Sequence, residues 1–347
     1  MNKIYFIIII VLTSSCTNKN SEHINLDLSL RSNELNYSVV FDSLKNIQLE
    51  TNENCLIGKI DQILKDDSLL FILDKHQKSI FIFDDKGKFL RKIYYVGKGD
   101  KEYISTTSFC IDTDRKYVYI LDDIQQKLFK YNYNTEFISS LNLNREDIVR
   151  SMGVLRNGNI VFFTPDYMSR SRDGVWEIDT LGNFVKSFRD VDPKHKFVFI
   201  PYPYYSNYNG KISFYDGFKN EIYSIKNKTL KREYCINLSQ KMPDKYLINE
   251  RGTKEGGTGD YYMNRHISET ESIYYLQFKS TNKGVTNVFL DKKSKNIFSA
   301  DKLKNDMDKN GVANKLFNFN RNSLVGIVWD DTGIQNPILQ ILYVKKQ

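Results

Sequence analysis

The chain has 347 residues, and its 50 lysines and arginines against 42 aspartates and glutamates give a formal net charge of +8. The charges are interspersed with no like-sign block, which excludes a nucleic-acid-binding arm; the 22 phenylalanines and 23 tyrosines suit pleated, half-buried strand surfaces. Four cysteines, Cys16, Cys55, Cys110 and Cys235, show neither Cys-x-x-Cys nor Cys/His zinc spacing, which excludes a zinc module and a disulfide-defined fold.

The N-terminus reads as an address. Lys3 is followed by an apolar run over residues 4–12 and then by Thr13-Ser14-Ser15-Cys16. Nine apolar residues are too few for a bilayer span, which needs about 20, and fit a signal-peptide core. The Thr-Ser-Ser-Cys stretch resembles the lipobox of bacterial lipoproteins, with Leu12 one place further from the cysteine than that motif usually has it. That resemblance implies a signal peptide over residues 1–15, lipidation of Cys16 and a polar tether over residues 16–35.

Residues 36–347 are expected to form one repeat domain. Phe71-Ile72-Leu73-Asp74 and Tyr119-Ile120-Leu121-Asp122 are displaced by 48 residues, and the same offset carries Ile80-Phe81-Ile82-Phe83 onto Leu128-Phe129-Lys130-Tyr131 and Phe89 onto Phe137. Several short strands per repeat at this period mark propeller blades. Six blades over residues 36–347 use about 52 residues each, whereas seven would require less than the observed period. The expected fold is therefore all-β, a six-bladed β-propeller of four-stranded antiparallel blades.

Taken in order, residues 47–50 have no partner strand of their own and read as the strand that closes the last blade, removing an open sheet edge. Blade one follows with strands over 58–64, 69–74, 79–84 and 89–94, and Gly87 supplies a positive φ in its last hairpin. Blade two repeats the frame at 108–112, 117–122, 127–132 and 137–143. Blades three to six are placed around 151–188, 209–238, 272–299 and 315–345, with non-strand insertions at 240–260 and 301–310.

Ile47-Gln48-Leu49-Glu50-Thr51, Ile57-Gly58-Lys59-Ile60, Phe71-Ile72-Leu73-Asp74 and Gly87-Lys88-Phe89 resemble the six-bladed propeller lipoproteins related to NHL repeats, common in gut-type Gram-negative bacteria. The linker Gly97-Lys98-Gly99-Asp100-Lys101-Glu102-Tyr103 is similar to that family's first blade linker. The resemblance implies a monomeric propeller on the outer membrane, on its periplasmic or cell-surface side, and no shared reaction, catalytic residue or cofactor.

Fold-level analogy puts a propeller ligand at the channel mouth formed by the linkers between blades and the turns between second and third strands. There Tyr202, Tyr204, Tyr205 and Tyr208 are the densest aromatic patch, able to stack on a sugar or peptide; the plainer reading makes them the innermost strand of blade four. His76, His195 and His266 are weak candidates for a channel metal. Gly97-Lys98-Gly99 has no third glycine, Gly256-Gly257-Thr258-Gly259 has no Lys-Ser/Thr, and Asp112-Thr113-Asp114 and Asp84-Asp85 fall at hairpin turns. The leading expectation is a lipid-anchored envelope module that binds a glycan, peptide or protein partner. The alternatives are an NHL-like hydrolase or lyase with a channel metal and a structural subunit of an outer-membrane complex.

Overall fold

The computed structural model of the protein describes residues 22–143, 145, 147–165, 169–192, 194, 205–208, 210–243, 259–330 and 332–345. Its strands form six small sheets arranged as a six-bladed β-propeller. Within each blade we letter the strands A to D from the axis outward. Blade one is Gln62–Asp66, Leu69–Asp74, Ser79–Asp84 and Phe89–Ile93. Blade two is Ser108–Asp112, Tyr117–Asp122, Lys127–Asn132 and Phe137–Asn142. Blade three is Ser151–Val154, Ile160–Phe163, Asp173–Ile178 and Phe184–Asp190. Blade four is Tyr205–Tyr208, Lys211–Asp216, Glu221–Lys226 and Thr229–Leu238. Blade five is Met263–Glu269, Ile273–Ser280, Gly284–Asp291 and Ile297–Lys304. Blade six takes Leu316–Asn320, Ser323–Val328 and Ile338–Val344 from the C-terminus and Phe41–Gln48 from the N-terminus. The Gly87 φ of +87° is the one the hairpin requires; a Cβ there would lie 2.2 Å from the Gln48 carbonyl oxygen.

Innermost strands depart from expectation in two blades: strand A of blade one is Gln62–Asp66 and not 58–64, and blade five begins at Met263–Glu269, before the expected 272. Three further expectations are corrected at outermost strands. The closing strand is Phe41–Gln48, antiparallel to Ile338–Val344, and not residues 47–50. Residues 301–304 belong to strand D of blade five. From residue 22 the stretch expected as a tether is ordered: Glu22–Leu26 runs parallel to Thr229–Leu238 and Ser32–Asn36 runs parallel to Ile297–Lys304. Blades four and five thus have five strands, and one N-terminal segment covers the outer edges of blades four, five and six in succession. Backbone pairing of this kind removes edges that would otherwise template association. A four-residue helix, Tyr37–Val40, carries the chain from blade five to blade six. Tyr37 anchors that step: its hydroxyl accepts from the Ala313 amide at 3.0 Å and donates to Gln340 at 3.4 Å.

The core is distributed. Six large apolar clusters each join one blade to the next, from Phe71, Ile82, Phe109 and Ile120 between blades one and two to Phe41, Tyr275, Phe289 and Leu342 between blades five and six. Central strands are apolar on both faces because each face meets a neighbouring blade, which is why Leu70, Phe71, Ile72 and Leu73 are all buried. Each such side chain contributes about 1.5–3 kcal/mol by leaving water. Cys110 is one of these small buried groups, and Cys55, Cys110 and Cys235 form no disulfide among the described residues.

Candidate functional site

The A strands surround the axis, so each end of the channel is built from one set of connections. At one end the A–B turns of blades six, one, two, three and four enclose a cavity of about 450 Å³. The turns reach it because they are short. Asp67 adopts a left-handed φ of 46°, which an aspartate tolerates, and Gly210 a φ of 69°.

Two of the lining carboxylates are structural. Asp66 accepts from Lys116 Nζ at 2.6 Å and from the Tyr133 hydroxyl at 2.8 Å, and the bond from Asp66 raises the pKa of Lys116. Asp112 accepts from the Arg115 amide at 3.0 Å and from Arg115 Nη1 at 3.1 Å. Arg115 Nη2 then donates to the Asn157 carbonyl at 2.9 Å, locking the turn of blade two to that of blade three. Phe319, the one aromatic ring among the described lining residues, is 8% exposed, with Lys65 Nζ 5.7 Å from its centroid. Cys110 also borders the cavity, and burial raises its thiol pKa, which keeps it neutral.

The remaining charges face solvent. Asp67 has a side chain 82% exposed and shares Lys116 at 3.0 Å, while Arg321 donates to Glu271 at 2.7 Å. Asp114 and Arg156 are exposed and make no ion pair with the described residues. The rim therefore offers fixed charges of both signs, with Asn318, Asn320 and Thr113 between them. This arrangement can bind polar groups of either sign.

This cavity lies at the A–B end, whereas the expected aromatic patch belongs to the linker before blade four and to that blade's strand A. Tyr205 and Tyr208 lie in strand A of blade four, paired with Phe214 and Lys211. Tyr202, Tyr204, His195 and Cys16 lie outside the described residues. His76 is exposed in the B–C turn of blade one. His266 is buried in blade five, with Nε2 2.7 Å from the Leu316 carbonyl and 2.9 Å from Ser268 Oγ, so Nε2 carries the proton. Burial, followed by the charge of Lys315, lowers its pKa well below the ordinary range. Among the described residues no three His, Cys, Asp or Glu side chains converge as metal ligands.

Sequence reasoning missed this mouth. Its signal was present in the acidic A–B turns, of which Asp112-Thr113-Asp114 was read only as a hairpin.

Comparison with solved structures shows the same fold. A Bacteroides fragilis protein described as exported has a TM-score of 0.77 at 18% identity, covering 93% of this chain and 100% of its own. A Bacteroides vulgatus member of the DUF4221 family has a TM-score of 0.57 at 13% identity, covering 88% of this chain and 97% of its own. No curated protein matches the chain. The model of one family, a domain of unknown function (DUF4934), matches residues 21–336, and the chain belongs to that family.

Proposed function

We propose that this protein is an exported, lipid-anchored binding module that holds a short charge-bearing peptide segment at the A–B mouth of its channel. The observation that carries the reading is the mouth itself, a cavity of about 450 Å³ with Asp114 and Arg156 uncommitted on its rim. A peptide supplies both signs of charge together with backbone donors and acceptors, whereas a neutral glycan gains most from an exposed aromatic platform, and Phe319 is buried. The rim residues come from turns, which a rigid ring of blades holds in place, a common arrangement for binding sites.

The test is calorimetric titration with peptides selected from a random-sequence library. Asp114→Lys and Arg156→Glu, both at exposed turn positions, are each expected to weaken the selected peptide at least tenfold without moving the melting temperature. Peptide affinity indifferent to both changes would reject the mouth as the site, and binding of glycans but not peptides would replace the ligand class.

Export is supported by the apolar run over residues 4–12 and by the fold relative described as exported. No helix of the described residues is long and apolar enough to cross a membrane. A lipid at Cys16 would hold the protein at a membrane by its acyl chains. Cys16→Ala is expected to shift the protein from the membrane to the soluble fraction on cell fractionation; unchanged sedimentation with membranes would exclude the lipid as its anchor.

A further inference from the structure

In an antiparallel blade the A–B and C–D turns lie at the same end, and the N-terminal segment starts on that side of the ring. Glu22–Leu26 runs parallel to Thr229–Leu238, so the chain enters its strand from the C–D end of blade four. Glu22 pairs with Lys295 of the C–D turn of blade five, whose Nζ also donates to the Tyr234 hydroxyl at 3.0 Å. Cys16 precedes Glu22 by six residues, a covalent reach of about 20 Å, and Lys228 precedes Tyr234, the strand partner of Glu22, by the same number. A lipid at Cys16 is thus tethered within reach of the C–D turn of blade four.

That turn belongs to a patch that is both basic and apolar. Asn227 and Lys228 take left-handed φ of 50° and 62°, a tight two-residue turn that puts Lys226 and Lys228 on the hairpin tip. From blade three, Lys186 Nζ donates to the Lys228 carbonyl, so strand D of blade three lies against this turn. The same strand begins with Phe184 and Val185, and the C–D turn before it carries Leu181. Leu181 is 77% exposed, Phe184 51% and Val185 40%. Lys226, Lys228 and Lys293, the last in the C–D turn of blade five, are exposed and make no ion pair with the described residues. Of the nearby acids, Asp179 accepts from the Leu181 and Asn183 amides, both at 2.9 Å, and Glu233 accepts from Lys231 Nζ at 2.7 Å.

We propose that this patch rests on an anionic lipid bilayer, with Leu181, Phe184 and Val185 entering the headgroup layer and Lys186, Lys226 and Lys228 facing lipid phosphates. Apolar groups flanked by lysines suit that boundary, because the apolar side chains leave water while the long lysine stems keep their charges at headgroup level. The path of the N-terminal segment selects a bilayer over a protein as the occupant, since a lipid at Cys16 brings a membrane to this edge of the ring. The choice of occupant therefore rests on the anchor proposed above, whereas the patch itself does not. The A–B mouth lies on the same side, so docking turns it towards the membrane.

The experiment sediments the purified Cys16→Ala chain, which carries no lipid, with vesicles of phosphatidylcholine alone or mixed with phosphatidylglycerol. At low salt, binding to the mixed vesicles is expected. Lys226→Gln and Lys228→Gln should each weaken it about fivefold, the worth of one lysine near an anionic surface, and Phe184→Ser at least as much. Lys283→Gln, in the B–C turn of blade five at the opposite end of the ring, should leave it unchanged. Physiological salt should release the lipid-free chain, in keeping with its expected release on cell fractionation. Absence of binding to the mixed vesicles at low salt overturns the proposal and leaves the patch to a protein partner. So does equal binding to both vesicle types, binding indifferent to salt, or a loss with Lys283→Gln equal to that with Lys228→Gln. Because the tested chain has no lipid, none of these outcomes bears on the anchor, whose own failure is read from the fractionation of unaltered and Cys16→Ala protein.

Discussion

Glu269→Ala is expected to cost about 3–5 kcal/mol, the range for removing one member of a buried ion cluster. Glu269 is the last residue of strand A in blade five and is completely buried. Its carboxylate accepts from Lys211 Nζ of blade four at 2.7 Å, from Lys292 Nζ of blade five, and from Ser213 Oγ of blade four. Lys292 also donates to the Thr270 carbonyl at 2.5 Å and lies 4.3 Å from the centre of the Tyr274 ring. Burial alone would raise the pKa of Glu269, but the charges of Lys292 and Lys211 outweigh it and hold the carboxyl below its ordinary range. The stabilisation is therefore present above the ordinary carboxylate pKa and is lost as pH falls through the lowered value. Burial lowers the pKa of Lys292, so the unfolded chain binds the extra proton and stability rises with pH as that lysine discharges. Glu269→Gln keeps an acceptor for Ser213 but leaves two ammoniums facing each other. It should lose less than the alanine variant and recover part of the loss as rising pH passes through the lowered lysine pKa. Urea denaturation of both variants at rising pH measures this. A loss under about 1 kcal/mol for the alanine variant would show that apolar packing alone joins these two blades.

The parts of the fold legible in the sequence are those whose residues meet neighbours on both sides. In blades one and two, strands B and C repeat an apolar pattern at a spacing of 48, and their observed bounds are those expected at 69–74, 79–84, 117–122 and 127–132. The misreadings fall at innermost and outermost strands; strand A of blade one is Gln62–Asp66 and that of blade five Met263–Glu269, against the expected 58–64 and a start at 272. Ser-Asn-Glu-Leu-Asn of Ser32–Asn36 and Phe-Asp-Ser-Leu-Lys-Asn-Ile-Gln of Phe41–Gln48 bury few side chains, because an outermost strand is held mainly by backbone bonds that leave no apolar period to read. The linker Gly97–Tyr103 was legible as structure for a reason the coordinates make plain. A Cβ on Gly97 would lie 1.9 Å from the Glu102 carboxylate, and the buried Tyr103 hydroxyl donates to the Lys78 carbonyl at 2.9 Å. The mouth was legible only as acidic hairpin turns, since a 48-residue period fixes the blades but is equally compatible with a cavity at either end of the axis.

Asp122→Ala is the second large effect, expected at about 3 kcal/mol because it strands several donors at once, each costing about 1–3 kcal/mol when left unmet in the interior, with water re-entry offsetting part. The repeated motif that reveals the propeller ends in this residue. Asp122 Oδ2 accepts from the Ile104 and Ser105 amides of the linker before blade two at 2.6 and 3.2 Å. Its Oδ1 accepts from the Ile124 and Gln125 amides of the B–C turn at 2.9 and 3.0 Å. Asp74 does the same in blade one, accepting from the Gly58, Lys59 and Gln77 amides at 2.9, 3.0 and 3.0 Å. In blade three, where Thr164 follows strand B, the device runs in the opposite direction. Asp147 of the linker accepts from the Arg170 and Ser171 amides of the B–C loop at 2.7 and 2.9 Å. In these three blades a buried carboxylate joins linker to turn, whichever of the two supplies it; in blade five Ser280 Oγ takes that place, between the Gly259 carbonyl and the Lys283 amide. Burial raises the pKa of Asp122, but the Gln125, Ile104 and Ser105 amides outweigh it and hold it below the ordinary range, so its contribution disappears in acid. Asp122→Asn is expected to lose less than the alanine variant and to flatten the acid limb of the stability curve between about pH 5 and 2. An acid limb in Asp122→Asn identical to that of the unaltered protein would assign acid unfolding to other carboxylates and reduce the latch to a neutral hydrogen-bond bracket.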